Sequence, residues 1–202
     1  YGLRPTGLLA LDVARVEAGL LLIDVDFFSA RKALTASQPY TPFEMGLDRL
    51  VDLRKKRFIG RAALVAEHAR RPRRRIVGLT IDWRDVEARY EAVGLPPLAQ
   101  ATASRLAVPV FANGRQVGRM TSSTWSPMLK QMIGIATVDA ASAAPGTHLD
   151  VEHTVDVVRH RVGATVVPMP FFSPKRKTLT PPAWRRPTRK ILSRPSLSQT
   201  CH

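Results

Sequence analysis

Three short segments hold residue types that chemistry needs. The first is Leu11-Asp12-Val13-Ala14-Arg15-Val16-Glu17-Ala18-Gly19. Glu17 falls at the end of a predicted helix, where the negative end of the helix dipole disfavours a carboxylate. Arg15 is too near in sequence to face it, so a partner from elsewhere is required. Glu17 is either a solvated or ion-paired acid, or a carboxylate that accepts two N–H bonds from a planar heterocycle with a guanine-like edge. The second segment is Arg54-Lys55-Lys56-Arg57-Phe58-Ile59-Gly60-Arg61. Four cations run into a predicted helix N-terminus, and both features attract a carboxylate or a phosphate; a solvated charge run is the plainer reading. The third is Asn113 to Gly118 followed by Met120 to Pro127. It reads as a hairpin leading into a Ser/Thr loop that holds Trp125, suited to closing over a pocket or simply to packing.

Other chemistries lack support. The chain has no Gly-x-Gly-x-x-Gly, no Gly-x-x-x-x-Gly-Lys and no His-Glu-x-x-His, so nucleotide-cradle and zinc-protease motifs are absent. The five histidines (68, 148, 153, 160 and 202) form no metal-ligand spacing, and no metal is expected. His153 and His160 are expected to be exposed strand residues. One Cys, Cys201, excludes a disulfide framework.

The elements that must position these segments follow from periodicity. Thr6 is placed to cap a helix from Gly7 to about Ala18, with Leu8, Leu9, Val13 and Val16 on one face and Gly19 as its stop. Leu20 to Phe27 and Leu50 to Leu53 read as short strands. Residues 35–46 read as a loop broken by Pro39 and Pro42, and Gly60 to Arg70 as a second helix. Ile76 to Ile81 reads as a strand, and 82–106 as an irregular connector. Asn113-Gly114 marks a tight hairpin. Ile133 to Val138, His148 to His153 and Val155 to Val167 read as further strands, with Pro145-Gly146 as a turn.

This predicts an α+β chain. A partial α/β domain fills residues 1–90, a linker 91–105, and a small antiparallel β domain 106–172. The 202 residues are 45% hydrophobic with a net charge of +15, enough apolar content for a sizeable core. Residues 173–202 hold eight Lys/Arg and no acid, leaving 23 basic against 16 acidic residues in the rest. With five prolines, this tail is expected to be disordered, and its charge suits nucleic acid or an anionic membrane. The chain begins at Tyr1 with no signal-peptide pattern. A cytoplasmic piece of a longer protein is expected, with no membrane partner.

Read in order, Ala10–Gly19, Thr41–Leu47, Phe58–Leu64, Gly114–Gly118, Thr121–Pro127, Pro145–Thr147 and Pro168–Phe172 resemble the aminomethyltransferase family, whose namesake is the glycine cleavage T-protein. The resemblance covers roughly residues 1–175. It implies a tetrahydrofolate-dependent transferase or demethylase that moves a one-carbon unit from an amine, ether or thioether donor, with an oxidoreductase or carrier protein as a further partner. It also implies a multi-domain disc around a folate channel, ending in a C-terminal β-barrel. By that comparison Glu17 matches the glutamate of an Arg-x-Glu-Ala-Gly motif that hydrogen-bonds the pterin. Lys56 and Arg57 lie near the folate tail, with Arg57 favoured, and Phe171 and Phe172 match the segment that closes the barrel. Lys175 and Arg176 sit near a C-terminal basic position.

The chain departs from the family's pattern in two places. Ile23 stands where many T-proteins have Tyr, which suggests another branch. The family's N-terminal half, which holds its catalytic Asp, has no counterpart, so no catalytic residue is assigned. The alternatives are a non-catalytic folate-binding module and, behind it, a nucleic-acid binder acting through the tail.

Overall fold

A computed structural model describes residues 4–177 and 179. Six antiparallel strands close a barrel: β1 (Arg74–Ile81), β2 (Val108–Ala112), β3 (Arg115–Ser126), β4 (Gln131–Asp139), β5 (His148–Val155) and β6 (Val158–Val167). Around it the strands run β1-β4-β3-β2-β5-β6. Three helices lie outside: α1 (Leu8–Glu17), α2 (Arg61–Arg70) and α3 (Trp83–Glu91). The expected α+β class with an antiparallel barrel stands.

The side-chain period of two builds two cores from one sheet. On β4, Met132, Ala136 and Val138 point into the barrel, where they meet Leu79, Val110, Val151, Val162 and Val166. Ile133 and Ile135 point the other way, against Val16 of α1, Ile76, Leu21, Met169 and Phe171. The run Ile133 to Val138 is apolar on both faces because both faces are covered, the outer one by α1 and the chain after β6.

Glycines permit the close approaches. A Cβ on Gly118 would lie 2.1 Å from the carbonyl oxygen of Thr137, and one on Gly78 would lie 2.8 Å from the ring of Phe171. The hairpin between β2 and β3 turns at Asn113 (φ 49°) and Gly114 (φ 80°), the two positive φ angles of a primed turn.

Several expectations fail for physical reasons. Gly7, not Thr6, occupies the N-cap of α1, and no side chain caps it. Leu20 to Phe27 is no strand. The Asp26 carboxylate takes the Leu22 N–H at 2.8 Å, and the Asp26 N–H returns to the Leu22 carbonyl, so the segment curls into a turn. Leu50 to Leu53 likewise gives only a single 3₁₀ turn, Asp48–Leu50. The connector contains α3, whose N-cap Asp82 accepts from the Arg84 N–H. Met120 to Ser126 is the second half of β3, not a loop. The barrel begins at β1, which pairs with both β4 and β6, so its start falls at Arg74 rather than near 106. The expectations for residues 178 and 180–202, including most of the basic tail, lie outside the described residues.

His153 is not an exposed strand histidine. It faces His160 across the β5–β6 pair, Tyr90 of α3 packs beside it at 6.2 Å, and its Nε2 is sealed without a partner. Burial first, and the charge of His160 second, push its pKa below the ordinary 6.5. The neutral form is therefore favoured in the fold. Its contribution is complete above pH 6.5 and is lost as pH falls through the depressed folded value. We expect urea midpoints to drop on acidification below that point, and His153→Phe to flatten the dependence. At Gly118, alanine is expected to force the β3–β4 pair apart and cost about 1–3 kcal/mol by denaturant titration.

Candidate functional site

The site starts from how α1 ends. The Gly19 N–H bonds the Val16 carbonyl at 2.9 Å and the Leu20 N–H bonds the Arg15 carbonyl at 2.9 Å, with Gly19 at φ 64°. This double closure needs a glycine in the left-handed region and fixes Glu17 as the last helical residue. The helix end is tied further, because the Phe172 N–H donates to the Glu17 carbonyl at 2.9 Å. The chain leaving the barrel thus locks onto α1.

Glu17 is 7% exposed. The sequence called for a partner from elsewhere, and the partner is neutral: the Ser126 hydroxyl donates to Glu17 Oε1 at 2.6 Å. Ser126 is fully buried, and its oxygen accepts the Leu129 N–H at 3.0 Å. Its donor is thereby committed to the carboxylate. Glu17 Oε2 accepts nothing from the described residues. The only side-chain polar atom among them that is both sealed from water and unpartnered is His153 Nε2. The second oxygen of Glu17 therefore keeps access to the space beside it.

That space is a cleft of about 330 Å³. Ala10, Val13, Ala14 and Glu17 form one wall, at the spacing that puts side chains on one helical face. Gln100, Ala101, Trp125 and Pro127 form the rest. Trp83 of α3 meets the Trp125 ring edge-on, with centroids 4.7 Å apart, and so holds it in place. Small side chains on α1 leave room, the indole supplies an apolar plane, and one carboxylate oxygen supplies an acceptor. Such a cleft suits a flat ring with N–H donors on its edge.

Arg15 serves a different network. It bonds Asp12 at 2.6 Å, Asp26 at 2.9 Å and the Ser122 hydroxyl at 3.0 Å. Asp26 is 1% exposed and also accepts from Thr121 at 2.7 Å and Ser122 at 2.6 Å. Consecutive strand residues normally face opposite sides. Here the β3–β4 register shifts between Met120 and Ser122, and this bulge turns both hydroxyls to one carboxylate. Sequence reasoning missed Asp26, which lies inside the Leu20 to Phe27 segment read as a strand.

Lys56 and Arg57 do not line the Glu17 cleft. They border a separate depression at the start of α2, with Phe58, Ile59 and Gly60. Arg61 folds the basic loop back by donating to the carbonyls of Lys55 (2.8 Å) and Leu53 (3.1 Å). Arg176 belongs to a one-turn 3₁₀ helix, Lys175–Lys177, and its side chain lies outside the description. A further depression of about 590 Å³ lies beside Arg70, Arg71, Arg73 and Arg74, but Arg74 there is already paired with Glu44 at 3.0 Å. Among the described residues, no group of three or more His, Cys, Asp or Glu stands ready to hold a metal. Nor is any described helix long and apolar enough to cross a membrane.

Residues 74–173 match the family profile of the glycine cleavage T-protein C-terminal barrel domain. An aminomethyltransferase of Thermosynechococcus vestitus is 34% identical over 178 residues, which are 88% of this chain and 40% of that protein. The trimethylamine-oxide aldolase of Ruegeria pomeroyi is 35% identical over 181 residues, 87% of this chain and 19% of that protein. The crystal structure of the glycine cleavage system aminomethyltransferase T from Bartonella henselae shares the fold. It has a TM-score of 0.60 and 23% identity, over 81% of this chain and 38% of the other. The chain spans at most about two fifths of these proteins.

Replacing Asp26 tests the scaffold under the cleft. Asp26→Ala leaves Arg15 and three further donors without their acceptor and is expected to cost about 3–5 kcal/mol in urea unfolding. A loss under about 1 kcal/mol would show that the network is peripheral.

Proposed function

The chain belongs to the aminomethyltransferase family, matching its C-terminal portion, and from that premise we propose that it serves a tetrahydrofolate-dependent one-carbon transfer. The observation that carries this reading is Glu17: a buried carboxylate with one oxygen tied to Ser126 and the other open to a cleft walled by Trp125.

The residues present fit a reduced pterin. Its 2-amino group and N3–H are adjacent donors: the open Oε2 accepts one, and Oε1, which keeps a lone pair beside its bond from Ser126, accepts the other at charge-assisted distances. A cleft of about 330 Å³ is sized for the ring rather than for a whole folate, whose glutamyl end must lie outside it. Lys56 and Arg57, which border the depression at the start of α2, and Arg176 are the cations offered as counter-charges for the glutamyl carboxylates. Tetrahydrofolate, when bound, supplies the secondary amine that accepts the one-carbon unit.

What this chain contributes is positioning. Ser126 fixes the carboxylate, Glu17 fixes the ring edge, and Trp125 fixes the ring plane. Holding one reactant in a single orientation removes much of the entropic barrier to transfer. The donor is proposed to be a small methylated amine, ether or thioether, in the cytoplasm; the Ruegeria relative's name, which specifies trimethylamine oxide, favours the amine. The acid that acts on the donor is assigned to the part of the family that this chain does not match. Because the relatives named are enzymes, a transferase is preferred to a non-catalytic folate-binding module.

Full-length protein is expected to bind tetrahydrofolate by calorimetry, and Glu17→Ala to weaken binding by about 1.5–3 kcal/mol, roughly ten- to a hundredfold. Unchanged affinity in a folded variant refutes the assignment.

A further inference from the structure

We propose that Gln100 reads the carbonyl next to the two donors that Glu17 accepts, so that this cleft selects a 4-oxo over a 4-amino pteridine. The inference deepens the folate reading above and rests on it.

Gln100 lines the same cleft as Glu17, Trp125 and Pro127. It belongs to the connector after α3, a segment with little regular structure of its own. Two backbone bonds hold that connector to β3: Ser104 N–H to the Ser123 carbonyl at 2.7 Å, and Ser123 N–H to the Ser104 carbonyl at 3.0 Å. Beside this clasp, the Ser123 hydroxyl donates to Gln100 Oε1 at 3.4 Å. A side-chain amide has one acceptor oxygen and one NH₂ with two donors. With Oε1 turned to the Ser123 hydroxyl, the NH₂ is the group Gln100 has left to offer a ligand. That nitrogen has no partner among the described residues and is not sealed from water.

The cleft therefore presents a carboxylate acceptor and an amide donor. A pterin edge is their complement: 2-amino donor, N3–H donor, then O4 acceptor. Glu17 takes the two donors and the Gln100 NH₂ takes the acceptor. In a 2,4-diaminopteridine the carbonyl is replaced by an amino group and N3 has no proton. The Gln100 NH₂ then meets another donor, and the hydrogen bond made to the 4-oxo ring is lost.

The test measures the affinities of full-length protein for tetrahydrofolate and for its 4-amino-4-deoxy analogue. Wild type is expected to prefer tetrahydrofolate. Gln100→Leu, which deletes the donor at a site that is not buried, is expected to weaken tetrahydrofolate about tenfold without weakening the analogue, which loses an opposing donor. Gln100→Glu, which puts an acceptor in place of the donor, is expected to move the preference toward the analogue. If both variants change the two ligands equally, or change neither, the role of Gln100 is overturned while the folate reading stands. If wild type binds neither ligand, the folate reading falls and takes this proposal with it.

Discussion

The Ser126 hydroxyl, donating to Glu17 at 2.6 Å, joins the end of α1 to the end of β3. A carboxylate at the C-terminal end of a helix faces carbonyl oxygens and loses stability there. A nearby cation would neutralise it and occupy its lone pairs, leaving nothing to offer a ligand. A buried hydroxyl does something narrower. It satisfies one oxygen, locks the rotamer and leaves the other oxygen free. The orientation of the cleft, the value of Trp125 as a wall and the meaning of Gln100 all depend on that division between two oxygens of one side chain.

The surrounding structure keeps this pair in register. The Asp26 network holds the turn after α1 to the bulged middle of β3 through Thr121 and Ser122, four residues before Ser126. The Phe172 N–H clamps the Glu17 carbonyl, and the Phe171 ring fits over Gly78 of β1. The barrel thus reaches α1 from three strands: β3 through its hydroxyls, β4 through Ile133 and Ile135, and β1 through the aromatic residue that follows β6. Buried charge of this kind adds little net stability against a well-packed apolar alternative, but losing one partner is costly. Here that asymmetry fixes geometry.

Much of this was legible in the sequence, and the gaps have physical causes. Glu17 stood out because its type was wrong for its place on a helix. The barrel strands after 108 were readable because Asn113-Gly114 and the alternation of β5 and β6 are local signals. β1 was readable as a strand but not as part of the barrel, since its partners β4 and β6 lie far along the chain. Ser126 was within a recognised segment, yet Ser and Thr suggest loops; only the register shift at Met120–Ser122 and the buried acids beneath explain a strand so rich in hydroxyls. α3 was hidden because a single residue of it, Val86, is buried and the Gly94-Leu95-Pro96-Pro97 break dominated its neighbourhood. Its signal was present in Asp82 and Asp85, a cap and a first-turn acid. Missing α3 meant missing Trp83 and, after it, Gln100.

A crystal structure of the full-length protein with tetrahydrofolate tests the central claim most directly. The pterin edge is expected within about 2.7–3.2 Å of Glu17 Oε2, with the ring against Trp125 and the Ser126 hydroxyl still on Oε1. A pterin bound elsewhere, or a Glu17 that releases Ser126 and turns to solvent, would contradict it.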